Sequence, residues 1–119
     1  AHNRAKALQW VEAQRAIDVA QTGLSKAMEE ALTGYPEADS IYLISDALLS
    51  KEDYWDLRTR VERWNRRRGR PLAVNTIHVR GGSASIRWEP RPPRANEPNA
   101  DVDFMHRLAW ENEGVYAHN

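Results

Sequence analysis

Apolar residues recur at helical spacing in the first part of the chain and predict two helices. From Asn3 to Asp18, Leu8 and Val11 lie on one face of an amphipathic helix that contains neither Gly nor Pro. Thr22 is placed to cap a second helix, which Gly34 ends. The apolar stripe of this second helix consists of Leu24, Ala27, Met28, Ala31 and Leu32.

Two short runs of apolar residues predict strands. Ile41 to Ser45 is apolar without alternation, the pattern of a parallel strand that is buried on both faces. Leu72 to Val79 is the second strand, although Asn75 and His78 make it less apolar.

A third helix is expected between these strands. Ser50 is placed to cap it, and Asp53 follows three residues later, as in a capping box. Arg66 to Arg68 fill its last turn, where positive charge complements the helix dipole, and Gly69 ends it. Its apolar face is formed by Tyr54, Leu57, Val61 and Trp64.

The last part of the chain predicts a loop, a helix and a strand. Residues 80–100 are rich in proline and arginine and favour a long surface loop, with a short strand at Ala84 to Trp88 as an alternative within it. Asp101 is placed to cap a fourth helix, Gly114 closes it, and a final strand begins near Val115.

Strands separated by helices favour an α/β fold with a doubly wound parallel sheet. Only three strands are predicted, and two helices precede the first of them, which leaves one flank of Ile41 to Ser45 unpaired. We therefore expect a further strand from elsewhere beside it. Without that strand, we expect the chain by itself to be poorly soluble or partly unfolded.

Composition narrows the class of protein. The chain has 119 residues, 41% of them hydrophobic and 29% charged, as in a single globular domain, and no apolar run is long enough to span a membrane. It has no cysteine, which excludes disulfides and thiolate metal sites. The zero net charge conceals a basic middle, because residues 58–94 hold eleven arginines against only Glu62 and Glu89.

Five stretches, in this order, resemble the C-terminal half of a von Willebrand factor type A domain of the bacterial variety. They are Asn3 to Val11, Thr22 to Leu32, Ile41 to Asp46, Val74 to Val79 and Phe104 to Tyr116. The resemblance covers residues 1–119 apart from the loop at 80–100, which looks like an insertion into the type A-like domain. It implies a partial type A domain whose ligand site lies at the carboxyl ends of the strands.

In this family, three motifs hold Mg²⁺ or Mn²⁺. By the resemblance, Thr22 matches the threonine of the second motif and Asp46 matches the aspartate of the third. The first motif, Asp-x-Ser-x-Ser, occurs nowhere in the chain, and Ala47 replaces the usual glycine after the third-motif aspartate. Two ligands make an incomplete site, because Mg²⁺ prefers six oxygen ligands. The structural alternative is that Thr22 caps a helix and Asp46 caps the turn after its strand.

Other chemistries find less support in the sequence. Arginines near Trp64 suggest a nucleic-acid surface, but Trp64 lies on the apolar face of its helix, so no nucleic acid is expected as a partner. The four histidines match no short zinc motif. Ser45-Asp46 has no glycine elbow, and Arg80-Gly-Gly-Ser does not open a helix as a phosphate loop does.

The resemblance thus implies a non-enzymatic protein–protein interaction module with a divalent-metal-dependent site. The site would be completed by a partner chain or by a separate N-terminal half of the same domain. The alternative is a degenerate, metal-free type A domain that serves as a structural subunit of a larger assembly, and an α/β enzyme comes third. Bacterial type A domains are often exported or attached to membranes, so the resemblance favours the cell envelope.

Overall fold

The computed structural model describes residues 2–13, 23–49 and 51–119. Its helices are α1 (His2–Ala13), α2 (Gly23–Gly34), α3 (Lys51–Arg66) and α4 (Ala100–Glu111), and its strands are β1 (Ser40–Ser45), β2 (Ala73–His78), β3 (Arg87–Glu89) and β4 (Tyr116–His118). The predicted caps Thr22 and Ser50, and the first predicted helix beyond Ala13, lie outside the described residues. No helix among the described residues is long and apolar enough to cross a membrane.

The strands form one mixed sheet in the order β1-β2-β4-β3. β1 pairs in parallel with β2, and β2 pairs in parallel with β4, which confirms the predicted order of these strands. β3 joins β4 in antiparallel orientation, with Trp88 opposite Ala117. The prediction of three strands, all parallel, is therefore wrong, because part of the loop at 80–100 returns and pairs with the outer edge of β4.

Helices α2, α3 and α4 share one hydrophobic core on one face of the sheet. Val74 of β2 and Tyr116 of β4 face this core, together with the partly buried Ile41 and Leu43 of β1. The helices contribute Met28, Leu32, Leu57, Val61, Phe104, Met105, Leu108 and Ala109. The α/β class predicted from the sequence is confirmed.

β1 differs from its prediction, because it is not buried on both faces. Ile41 and Leu43 turn towards the helices, whereas Tyr42 and Ile44 are 62% and 65% exposed. Uninterrupted apolar residues usually indicate a strand with cover on both sides. Here the helices α2–α4 lie on one side only, so the second apolar set of β1 faces outward.

The two polar residues in the middle of β2 satisfy backbone groups of their neighbours. Asn75 donates from Nδ2 to the Ile41 carbonyl at 3.3 Å and accepts from the Val115 amide at 2.9 Å, so its side chain joins β1 to the segment before β4. Thr76 donates from Oγ1 to the Met105 carbonyl at 2.8 Å and ties β2 to α4. Buried polar groups of this kind are tolerated because each has a partner.

The start of α4 also corrects the sequence analysis. The N-cap residue is Asn99, whose side chain makes no capping hydrogen bond, and Asp101 lies inside the first turn. An acidic side chain in the first turn still interacts favourably with the helix dipole. Asp101 is consequently not the cap, and its carboxylate is directed towards the end of β2, where His78 lies.

Candidate binding site at the carboxyl edge of the sheet

Three titratable side chains meet where β1 and β2 end. Asp46 follows β1, His78 is the last residue of β2, and Asp101 reaches them from the first turn of α4. They line a cavity of about 580 Å³ together with Leu48, Val79, Arg80 and Gly81. The carboxyl edge of a parallel sheet is where open α/β folds usually bind ligands.

The segment after β1 is held in a defined turn by its own side chains. The Ala47 amide donates to Ser45 Oγ at 2.9 Å, and the Leu48 amide donates to Asp46 Oδ1 at 3.2 Å. Asp46 therefore caps the turn after its strand, as the structural alternative predicted. One of its carboxylate oxygens is engaged in this way.

Ala47 adopts a backbone conformation that favours glycine. Its φ is +58°, in the left-handed region, and its side chain is fully buried. A glycine would adopt this conformation without the steric cost that a Cβ atom brings. Tyr54 Oη donates to the Ala47 carbonyl, which fixes the turn against α3.

His78 is the buried polar group at the centre of the site. Its Nδ1 lies 3.3 Å from Tyr116 Oη, and its Nε2 lies 3.5 Å from Asp101 Oδ2. Nε2 is buried and has no hydrogen-bond partner, since 3.5 Å is too long for a well-formed bond. Burial lowers the pKa of His78 and so favours the neutral imidazole, and the nearby Asp101 carboxylate opposes this only in part.

Tyr116 supports His78 from β4. Its ring stacks with His106, at a centroid distance of 4.6 Å, and with His118, at 5.4 Å. Burial raises the pKa of Tyr116 to about 12. The phenol is therefore protonated at every physiological pH, and its O–H can donate a hydrogen bond to His78 Nδ1.

The resemblance implies Thr22 and Asp46 as metal ligands. Asp46 lies at the carboxyl edge as expected, whereas Thr22 lies outside the described residues. Within residues 2–13, 23–49 and 51–119, no group of three or more His, Asp or Glu side chains is arranged to hold a metal ion. Imidazole is also a poor ligand for Mg²⁺, which prefers oxygen. Of the two ligands that the resemblance implies, the described residues contain Asp46 alone.

The outer edge of β1 is a second feature with binding potential. Among the described residues, β1 has a neighbouring strand only on its β2 side. The carbonyls of Asp39 and Ser45 accept hydrogen bonds from the amides of Ala73 and Val79, which flank or belong to β2. In a parallel pair, the backbone N–H and C=O groups of alternate residues from 39 to 45 therefore point towards β2. The amides and carbonyls of Tyr42 and Ile44 consequently point away from the sheet.

An apolar row crosses the sheet from this edge. The register places Ile44 beside Ile77, Ile77 beside Ala117, and Ala117 beside Trp88. Ala117 in the middle is fully buried, whereas Ile44 and Trp88 at the two ends are exposed. One of the two exposed ends of the row therefore lies on β1, where apolar side chains are next to backbone groups that have no neighbouring strand among the described residues.

Comparison with known proteins found no match to a protein-family model, to a curated protein or to a solved structure.

Sequence reasoning found Asp46 but missed its neighbours. It treated His78 only as a polar residue within a strand and Asp101 as a helix cap, and it gave Arg80 no role in a site. The signal that would have identified His78 and Arg80 is the one used for Asp46, namely a position at the end of a predicted parallel strand. Asp101 required knowledge of how α4 packs against β2.

Proposed function

We propose that this chain is a protein–protein interaction module that takes up an extended strand of another polypeptide segment along the outer edge of β1. The observation that carries the proposal concerns Tyr42 and Ile44, whose outward backbone groups have no neighbouring strand among the described residues and whose apolar side chains are exposed. An exposed, apolar sheet edge is avoided in proteins unless another element covers it. Adding a strand would satisfy the backbone and bury both side chains.

The chemistry of the occupant follows from β1. Main-chain hydrogen bonds would supply affinity, and alternate side chains would supply specificity. One set of its side chains would lie over the exposed face beside Tyr42 and Ile44, and the other set would lie beside Ile41 and Leu43. Both sets should therefore be apolar, as in a central strand of a parallel sheet.

The resemblance to type A domains adds a more specific form of the proposal. In that form, the added strand carries Asp-x-Ser-x-Ser and brings its oxygens beside Asp46, where they would supply the ligands that Mg²⁺ or Mn²⁺ requires. In the metal-free alternative, the added strand completes the sheet and the domain serves as a structural subunit. Titration of the assembled complex with Mg²⁺ and Mn²⁺ separates these forms, because only the first predicts metal-dependent ligand binding.

The proposal is tested by selecting extended peptides from a display library on the full chain and measuring their affinity for two variants. Tyr42→Pro removes the outward-facing N–H of β1, whereas Tyr42→Val removes the same ring and keeps the N–H. Strand addition predicts that the selected peptides bind Tyr42→Val and lose binding to Tyr42→Pro. Equal binding to both variants, or the absence of any binder, would contradict it.

A further inference from the structure

A second cavity lies at the far end of the sheet from β1. It is enclosed by residues of β3, β4 and α4 and by the segment that joins β3 to α4. Its volume is about 570 Å³, which is within the usual range for sites that bind small molecules. Because β3 and β4 lie on the opposite side of β2 from β1, this cavity is separate from the edge where a partner strand would add.

Hydrogen bonds from α4 hold the loop wall of this cavity in place. His106 Nε2 donates to the Arg91 carbonyl at 2.7 Å, and Arg107 Nη2 donates to the Arg94 carbonyl at 2.9 Å. The Arg91 guanidinium also makes two hydrogen bonds to the Glu89 carboxylate of β3, at 2.8 and 3.2 Å. The loop is therefore fixed at both its backbone and its side chains, and the cavity has a defined wall.

The charged groups around the cavity favour an anion. Glu89 and Arg91 neutralise each other, since both carboxylate oxygens are bonded to the guanidinium. Among the described residues, the guanidiniums of Arg80 and Arg94 have no ion-pair or hydrogen-bond partner, although both side chains line the cavity. The remaining carboxylate of the lining is Glu97, one oxygen of which already accepts a backbone amide at 3.1 Å. Two unpaired guanidiniums therefore face one partly engaged carboxylate.

Rings of β4 supply the floor of the cavity and a further donor. Tyr116 is buried, and its ring stacks with that of His118 at a centroid distance of 5.4 Å. His118 lines the cavity, and neither of its ring nitrogens makes a hydrogen bond to another described residue. An imidazole carries at least one N–H whatever its protonation state. The cavity thus combines hydrogen-bond donors from the segment after β2, from the loop and from β4.

We propose that this cavity binds a small phosphate monoester, whose phosphate oxygens accept hydrogen bonds from Arg80, Arg94 and His118. A carboxylate has two oxygens in one plane and is matched by a single guanidinium, whereas a phosphate group offers three oxygens in different directions and can pair with both arginines. The volume leaves room for the organic part of the ester beside the apolar side chain of Val102. The proposal does not depend on strand addition at β1.

The test titrates the full chain with glycerol phosphate and follows the imidazole signals of His118 by NMR. Arg80→Gln and Arg94→Gln should each weaken binding about tenfold, because each removes a charged donor to the phosphate. Glu97→Gln should strengthen binding about threefold, since it removes the opposing charge but keeps an oxygen for the backbone amide. Arg67→Gln is the matched control, because it removes the same charge at an exposed position that does not line the cavity, and it should leave binding unchanged.

Three results would overturn the inference. The first is the same affinity for glycerol phosphate in the unsubstituted chain and in Arg80→Gln or Arg94→Gln, which would mean that the probe binds elsewhere or not at all. The second is acetate that binds as tightly as glycerol phosphate, which would indicate a site for a carboxylate. The third is inorganic phosphate that binds as tightly as glycerol phosphate, since the ester should gain affinity from contact with Val102.

Discussion

The side-chain amide of Asn65 donates to Asn112 Oδ1 across 3.1 Å in the protein interior. The same amide donates to the Leu72 carbonyl at 2.9 Å, and Asn65 Oδ1 accepts from the Leu72 amide, also at 2.9 Å. Asn112 in turn donates to the Leu108 carbonyl at 2.8 Å. One side chain of α3 thereby joins the segment that enters β2 to the end of α4.

Asn65→Ala should destabilise the fold strongly. The substitution leaves the Leu72 amide and carbonyl buried without partners, which costs about 3 kcal/mol in the free energy of unfolding. Urea denaturation of both proteins at low concentration measures this loss. Asn96→Ala, at an exposed loop position, is the control and should change stability by less than about 0.5 kcal/mol. A similar effect of the two variants would contradict the assigned network.

Gly114 permits the close approach of the chain to β2. A Cβ atom at this position would lie 1.8 Å from the Val74 carbonyl oxygen, and backbone atoms cannot move aside cheaply. Gly114→Ala should therefore destabilise the protein by about 3 kcal/mol or abolish folding. Gly69→Ala places the same methyl group in open space and should be tolerated. Thermal unfolding of the two variants compares them directly. A stable Gly114→Ala protein would show that the backbone at residue 114 lies farther from the Val74 carbonyl than described.

Arg68 binds carbonyl groups at the end of α2 and in the segment after it. Its guanidinium donates to the carbonyl oxygen of Leu32 in the last turn of α2 and to those of Tyr35, Pro36 and Ala38 after the helix. Arg68→Lys keeps the charge but replaces the planar set of donors by one ammonium, and should cost about 2 kcal/mol. Arg67→Lys is the matched control at the neighbouring exposed position. Equal unfolding midpoints in urea would show that charge alone matters at Arg68.

Glu89 and Arg91 form an ion pair within the 80–100 loop. The hydrogen bond from Arg91 lowers the pKa of Glu89 from its ordinary value of 4.5 to about 2. The pair therefore stabilises the loop fully above pH 4.5, and this contribution is lost as the pH falls towards 2. A ¹³C NMR titration of the Glu89 carboxyl should show this low midpoint.

Arg91→Gln should return the pKa of Glu89 towards its ordinary value. Arg87→Gln, which removes a neighbouring exposed arginine, should leave that pKa low. If Glu89 titrates near its ordinary value of 4.5 in the unsubstituted protein, Arg91 does not form the assigned ion pair with it.

Hydrophobic spacing was sufficient to predict the helices and strands, because α2, α3 and α4 bury the faces that their stripes define. It also predicted the parallel order of β1, β2 and β4, which follows from the helices between them. It offered a short strand at Ala84 to Trp88 only as an alternative to a loop, and β3 overlaps that range at Arg87 and Trp88. It did not predict that this segment pairs with β4 in antiparallel orientation. Nor did it predict the role of Arg68, whose partners lie some thirty residues away along the chain.

The candidate site shows the same division between local and tertiary information. Asp46 was identifiable because it directly follows an apolar strand. The relation between His78 and Asp101 depends on the position of α4 over β2, which no local pattern encodes. The exposure of Tyr42 and Ile44 was likewise not predictable, because an apolar run does not reveal whether one or both of its faces are covered.

Amide hydrogen exchange along β1 in the full chain tests the central claim most directly. The outward-facing amides of Tyr42 and Ile44 should exchange nearly as fast as in an unstructured peptide, while those of Ile41 and Leu43, which face β2, should be slower by about a hundredfold or more. A bound strand should then protect Tyr42 and Ile44 as well. If all four amides are equally protected in the chain by itself, the edge of β1 is already paired, and the proposed docking of a partner strand is wrong.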